Sequence, residues 1–304
     1  MPPSKSSFTY TLKPDQIIQL RELCLGRGFE LKALDYGHFK GSKGKCSLSA
    51  YESGKVVIQG KEAREFIEFY FEPEILGEAQ LGYEEIHHPE YFVDHFGVDE
   101  AGKGDFFGPL VIAGVAGTGD LVRGWIDAGL AESKRIADQR ALDQAGDLEE
   151  ELGAARYEVI AIGPKRYNEL YRSFGNLNRL LAWGHAKVIQ NLKIKNPAVN
   201  KALSDKFAHS SLIERELKKA EVEIDLDQQT KAERDPVVAA ASILARAGFL
   251  KGLEKCSELC GVELPKGAGA PIPKAAAQVL DAGGQDLLRD VCKVHFKTFA
   301  EVTR

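Results

Sequence analysis

Hydrophobic and polar positions alternate differently in the two parts of the chain. Near the start, SFTYTL alternates as a strand does, DQIIQLRELCLGRG repeats apolar residues at helical spacing and stops at glycine, and SLSAYESGKVVIQG reads as a hairpin. The segment KEAREFIEFYF follows, with Ala63, Phe66, Ile67 and Tyr70 at the i, i+3, i+4 and i+7 positions of a helix that packs on a sheet. These elements predict a small α+β domain over residues 1–75. From Glu72 to His88 the chain is acidic and polar, holds two glycines, lacks a strong period and precedes Pro89, which predicts a linker over 76–90.

Residues 91–304 carry a longer and more apolar pattern. YFVDHFGVDE and PLVIAGVAG read as two strands joined by a glycine-rich turn, and RYEVIAIG as a third strand after a helix over DQRALDQAGDLEEEL. NLNRLLAWGHAKVIQNL predicts a long amphipathic helix, and NPAVNKALSDKF a strand ending at Asp205. In EVEIDLD, Val222, Ile224 and Leu226 alternate with acidic residues as in a further strand, and TKAERDPVVAAASILARAGFL opens another helix. Strands first and alternating helices and strands afterwards imply an α/β domain, a mixed sheet with flanking helices.

Composition narrows the function classes. The chain of 304 residues is 44% apolar and 28% charged, ordinary for a globular protein of two domains. No uninterrupted apolar run approaches the ~18 residues that cross a bilayer, and MPPSKSSFTYTLKPD has no apolar signal segment. The expectation is a cytoplasmic protein with no membrane partner. Five cysteines, Cys24, Cys46, Cys256, Cys260 and Cys292, form no CxxC pair and are expected to be reduced thiols; Cys256 and Cys260 stand one helical turn apart without a histidine or second pair to complete a zinc site. The net charge is −5, yet residues 1–60 hold nine Lys or Arg against five Asp or Glu. A basic N-terminal module on an acidic body suits a phosphate backbone as partner, and equally suits a solvated basic face.

The chemistry concentrates in GVDEAGKGDFFGP, residues 97–109. Gly97 to Lys103 fits GxxxxGK, but Gly104 stands where a phosphate-binding loop needs the hydroxyl that holds Mg²⁺; GxGxxG begun at Gly102 fails at Phe107. Asp99 and Glu100 remain, at the C-terminal end of a strand, where open α/β sheets place their ligands. Adjacent strand residues point to opposite faces, so both reach one ion only where the strand is ending. Asp205 also ends a strand and would lie beside Asp99 if the two strands are neighbours. A fourth carboxylate comes from KAERDPVV: Asp235 followed by Pro236 is explained as a helix cap, which leaves Glu233 the favoured candidate. Clustered carboxylates imply a cation, and an all-oxygen set implies Mg²⁺ or Mn²⁺. Two such ions about 4 Å apart suit in-line hydrolysis of a phosphodiester.

These residues resemble the type 2 ribonuclease H family, and within it ribonuclease HIII. GVDEAGKGDFFGPLV matches the opening motif, with GKG where ribonuclease HII has GRG; NLNRLLAWGHA, KAERDPVVAAASILAR, LPKGAG and KVHFK match in family order over most of residues 92–300. The resemblance implies a ribonuclease H-like catalytic domain over 91–304, preceded by a TATA-binding-protein-like domain that helps grip the substrate. It implies an endonuclease that cuts the RNA strand of RNA/DNA hybrids with Mg²⁺ or Mn²⁺, leaving 5′-phosphate and 3′-hydroxyl ends. Asp99, Glu100, Asp205 and Glu233 become the catalytic and metal-binding acids. Asp235 stays open for the fourth place, because the segment from Glu233 to Ser242 is one residue short of the family pattern. The backbone of Gly102, Lys103 and Gly104 would meet the 2′-hydroxyls near the scissile bond. Ser133 and Lys134 would contact or support the phosphate backbone, in ESK where the family shows Asp-Ser-Lys. Phe106, Phe107 and Pro109 are expected to pack the turn, and His185 to be a packed or hydrogen-bonded core histidine. His87 and His88 are expected in solvent; Lys266, Lys293, His295 and Lys297 either track phosphates or lie on the surface. No obligate protein partner is expected, and the chain is read as a monomer. Two other readings remain: cleavage at single ribonucleotides in duplex DNA, as by ribonuclease HII, and hybrid binding without catalysis.

Overall fold

A computed structural model describes residues 7–78, 81–130, 137–207, 209 and 211–304. It divides the chain into two compact units, Met1–Phe92 with Asp127–Gly129, and Val93–Ile126 with Leu130–Arg304.

The first unit is one antiparallel sheet with helices on one face. Strands β1 (Ser7–Thr11), β2 (Glu30–Lys32), β3 (Gly37–Lys43), β4 (Cys46–Tyr51) and β5 (Lys55–Gln59) stand in the order β1-β5-β4-β3-β2. Alternation fixes which side is buried: Phe8, Phe39, Leu48, Val56 and Ile58 point into a core shared with Ile17, Leu20 and Cys24 of helix α1 (Pro14–Gly26). The other face holds Thr9, Val57, Ser49, Lys40 and Lys32, which lie in register across all five strands. The helix predicted from Ala63 begins as α2 (Ala63–Phe66) and widens into a π-helical stretch over Ile67–Leu76. Pro73 lies inside that stretch, where it has no N–H to give a regular helical ladder. Ala63, Phe66 and Ile67 are buried, as the stripe predicts. Residues 67–76 are therefore helical up to the first residue of the predicted linker, and a short helix α3 (Glu84–His87) lies within that linker.

The second unit is a mixed sheet between helical layers. Strands β6 (His95–Ala101), β7 (Leu110–Gly117), β8 (Tyr157–Ile162), β9 (Lys201–Asp205) and β10 (Asp225–Gln229) run in the order β10-β9-β6-β7-β8. β6 is antiparallel to β7 and parallel to β9, and β9 is parallel to β10. The helices are α4 (Gly119–Ala128), α5 (Asp138–Arg156), α6 (Pro164–Phe174), α7 (Leu177–Lys195), α8 (Ser211–Lys219), α9 (Pro236–Cys260), α10 (Pro271–Val291) and α11 (Lys297–Val302). β7 is buried along its whole length, because α7 and α9 both pack on it.

Two differences from the sequence reading stand out. α9 is long and apolar enough to cross a membrane by length and composition, although no unbroken apolar run shows this; 67% of the qualifying window is buried inside the unit, where the helix packs on β6 and β7. The last strand is shifted: Val222 and Ile224 precede β10, and of the alternating trio only Leu226 lies within it. All five cysteines are buried and free, and burial pushes the thiols of Cys24, Cys46, Cys256 and Cys292 up to about 12, 11, 11 and 12.

Candidate active site

Close packing against the sheet decides where the acids go. A Cβ on Gly97 would lie 2.5 Å from the Val237 carbonyl carbon and Val238 nitrogen, so the first glycine of GVDEAGKG serves the approach of α9 to β6. Gly97 and Asp99 share that face, and the Asp99 carboxylate hydrogen-bonds to Ser242 of α9. Glu100 points the opposite way, to α7, where His185 Nε2 lies 3.0 Å from Glu100 Oε2. The pleat thus separates the adjacent carboxylates onto the two sides of the sheet while leaving them in one another's field.

The third acid stands one strand away. Phe96, Gly97 and Val98 of β6 pair in parallel with Ala202, Leu203 and Ser204 of β9, so Asp99 and Asp205 each follow the pair Val98 and Ser204 on adjacent strands. Asp205 Oδ1 accepts a hydrogen bond from the Ala232 amide at 3.2 Å. Ala232 opens the short 3₁₀ turn Ala232–Arg234, which contains Glu233 and is entered through Lys231 at a left-handed φ of 62°. A non-glycine residue held there is a strained link, of the kind that persists where surrounding contacts over-determine it.

Electrostatics couple the acids to Lys103. Lys103 Nζ donates to Glu100 Oε1 at 2.6 Å, and Glu100, Asp205 and Asp99 together hold the ammonium above its usual range against partial burial. Burial opposes the charge of Glu100, but the hydrogen bonds and charges of His185 and Lys103 bring its carboxyl down to about 2. Burial and the neighbouring Glu100 charge push Asp99 up to about 6, despite hydrogen bonds from Ser242 and the Glu100 amide. The turn that presents Lys103 is specific in shape. Gly102 has φ of 86°, and a Cβ there would come within 2.2 Å of the Pro109 carbonyl oxygen, whereas a Cβ on Gly104 meets nothing within 4 Å. The backbone at Gly104 is therefore open to a ligand. Phe106 and Phe107 are fully buried and meet edge to face at 4.7 Å between ring centres.

Among the described residues no three carboxylate, imidazole or thiolate groups converge closely enough to enclose an ion. Glu100 has both oxygens engaged by Lys103 and His185, and Asp205 is turned to the Ala232 amide. By chemistry the residues nonetheless fit a hard divalent cation: the donors are oxygens, and Asp99 carries a buried negative charge that a cation would relieve.

Comparison with known proteins shows the family. Residues 96–299 match the family described as Ribonuclease HII, and residues 10–80 match a domain of unknown function, DUF3378. A ribonuclease HIII of Protochlamydia amoebophila is 41% identical over 275 residues, covering 90% of this chain and 88% of that protein. A ribonuclease HIII of Chlamydia abortus is 39% identical over 297 residues, 97% of each chain. The chain belongs to the ribonuclease HIII family. Among solved structures, Bst-RNase HIII in complex with Mn²⁺ superposes with a TM-score of 0.68 at 27% identity, covering 98% of each chain. Aquifex aeolicus RNase H3 shares the fold with a TM-score of 0.55 at 23% identity, covering 95% of this chain and all of that one.

Within this ribonuclease HIII family member, Asp235 behaves as its sequence context predicts. It caps α9, its Oδ1 accepting from the Val237 and Val238 amides at 2.7 and 3.3 Å, and it is 2% exposed. It also pairs with buried His95 at 3.1 Å, a contact that raises the imidazole pKa against burial. Ser133 and Lys134 lie outside the described residues.

Two further residues near the site find their partners in the structure, one as the sequence reading expected and one not. His185, expected as a core histidine, is fully buried and joins Glu100 to Ser204, whose Oγ lies 2.9 Å from His185 Nδ1. Lys293, read as a phosphate-tracking or surface lysine, is fully buried instead: its ammonium donates to the carbonyls of Asp105, Phe107 and Gly108. Burial brings its pKa down to about 8. Their signals were the matched segments NLNRLLAWGHA and KVHFK, which mark the positions but not the partners. Lys266, between α9 and α10, is exposed and paired with Asp138, which also pairs with Arg246.

Proposed function

We propose that the chain is an endonuclease that hydrolyses the RNA strand of RNA/DNA hybrids, with Asp99, Glu100, Asp205 and Glu233 holding Mg²⁺ or Mn²⁺. The observation that carries the reading is the placement of Asp99 and Asp205 on adjacent parallel strands, with the 3₁₀ turn of Glu233 hydrogen-bonded to Asp205. When bound, divalent ions supply activation of a water for in-line attack and stabilisation of the leaving oxygen. The products are a 5′-phosphate and a 3′-hydroxyl.

The chain's own groups do the rest. His185 orients Glu100, and Ser242 orients Asp99. The Gly102–Gly104 turn offers backbone groups to the sugar next to the cut, and the openness at Gly104 supports a close approach in which a 2′-hydroxyl distinguishes RNA from DNA. The Lys103 side chain, 46% exposed, brings its ammonium beside the acids where a phosphate would need a counter-charge. In the first unit, the helix-free sheet face with Thr9, Ser49, Lys40 and Lys32 is the surface we assign to gripping the hybrid. The working unit is read as a monomer.

One gel tests the reading. The protein is incubated with Mg²⁺ or Mn²⁺ and an RNA/DNA hybrid, a DNA duplex with one embedded ribonucleotide, or double-stranded RNA. Cleavage of the hybrid at many positions is expected. Cutting restricted to the single-ribonucleotide duplex would replace the reading with a ribonuclease HII-like one, and binding without cleavage would leave a hybrid-binding protein.

A further inference from the structure

Lys293 lies nearly two hundred residues from the glycine turn in sequence, yet its ammonium is enclosed by that turn's continuation. Nζ donates to Asp105 O at 2.9 Å, Phe107 O at 3.3 Å and Gly108 O at 2.7 Å. An ammonium has three N–H donors and no acceptor, so this set engages all three. The backbone adds to the clasp. The Lys293 amide donates to Phe106 O at 2.8 Å, the Gly108 amide donates to Val291 O at 3.0 Å, and Phe107 bridges Cys292.

The contacts continue to the substrate-facing residues. The Asp105 amide donates to Gly102 O at 3.3 Å, and Gly102 packs against the Pro109 carbonyl. On the far side, the Gly267 amide donates to Asp105 Oδ1 at 2.6 Å and the Phe106 amide donates to Gly267 O at 2.9 Å. A segment with glycines at 102, 104 and 108 has little stiffness of its own. Burying a cation is unfavourable unless its partners are well placed. Here one cation gathers three carbonyls into a satisfied network, which rigidifies what it joins.

We infer that Lys293 is a positioning residue for substrate specificity: it holds the Asp105–Gly108 backbone so that the Gly102–Gly104 turn meets the ribose of the RNA strand in one fixed shape. This rests on the reading of that turn as the ribose reader. Lys293 itself touches no substrate, and its influence passes through the loop.

The test is the preference of the full chain for an RNA/DNA hybrid over a DNA duplex of the same sequence, measured as equilibrium binding in EDTA so that cleavage plays no part. Lys293→Met is expected to weaken hybrid binding about tenfold, the scale of one lost hydrogen bond, with DNA-duplex binding unchanged. Lys293→Gln, which keeps two N–H donors, is expected to recover part of the preference. If Lys293→Met does not fold, as judged by near-ultraviolet circular dichroism, Lys293→Gln decides by the same ratio. Gly104→Ala is the control, because its methyl enters open space and disturbs only what approaches from outside. A wild-type ratio in the folded Lys293 variants, with the preference lost in Gly104→Ala, overturns the role of Lys293 alone. A wild-type ratio in Gly104→Ala overturns the ribose-reading turn itself.

Discussion

His185 Nε2 sits 3.0 Å from Glu100 Oε2, and His185 Nδ1 sits 2.9 Å from Ser204 Oγ. One buried imidazole thus spans the strand that carries Glu100 and the strand that ends in Asp205. Removing such an outer partner of a metal-binding carboxylate lowers affinity or activity about 10- to 100-fold in other metal sites. His185→Phe is expected to reduce Mn²⁺ affinity by calorimetry and kcat by that factor, with the KM for hybrid little changed. His185→Gln should recover part of both. An unchanged kcat in folded His185→Phe would remove His185 from the site.

The two candidates for the fourth acid separate by experiment. Asp235→Ala loses the cap of α9, about 1 kcal/mol, and leaves buried His95 without its carboxylate. The loss of a buried partner raises the expected destabilisation to about 3 kcal/mol or more. Glu233→Gln should leave the urea midpoint nearly unchanged and abolish cleavage. The opposite pattern, an active Glu233→Gln and a folded but inactive Asp235→Asn, would give the fourth place to Asp235.

The open face of the first unit should act through charge. Lys32 and Lys40 are exposed cross-strand partners on β2 and β3. Replacing both with Gln is expected to weaken hybrid binding and lower the slope of log affinity against log salt by about 2, one for each phosphate no longer neutralised. An unchanged slope would place the hybrid elsewhere.

Much of this arrangement is legible in the sequence where local pattern and pairing coincide. The runs around Asp99 and Asp205 are short, apolar and bounded by turns, and they form neighbouring strands. Asp235 before Pro236 is a helix start in sequence and in structure. Pattern fails where burial and hydrogen bonding part company. Val222 alternates with Ile224 and Leu226 and all three pack on the core, yet the Val222 amide still bonds to Leu217 O at the end of α8, so the strand begins later. β2 is three residues long with one apolar side chain, too little for a periodic signal. The roles of His185 and Lys293 depend on partners 85 and about 185 residues away, which no local pattern encodes.

The proposed function stands or falls on Asp99 and Asp205 as the acids that would carry the metal for cleavage of the RNA strand. The direct measurement is cleavage of an end-labelled RNA/DNA hybrid by wild type, Asp99→Asn and Asp205→Asn at saturating Mg²⁺ and Mn²⁺, with hybrid affinity measured in EDTA. Wild type is expected to leave 5′-phosphate ends, and both variants to bind hybrid with wild-type affinity but cleave at background. Cleavage near the wild-type rate by either variant would contradict this assignment.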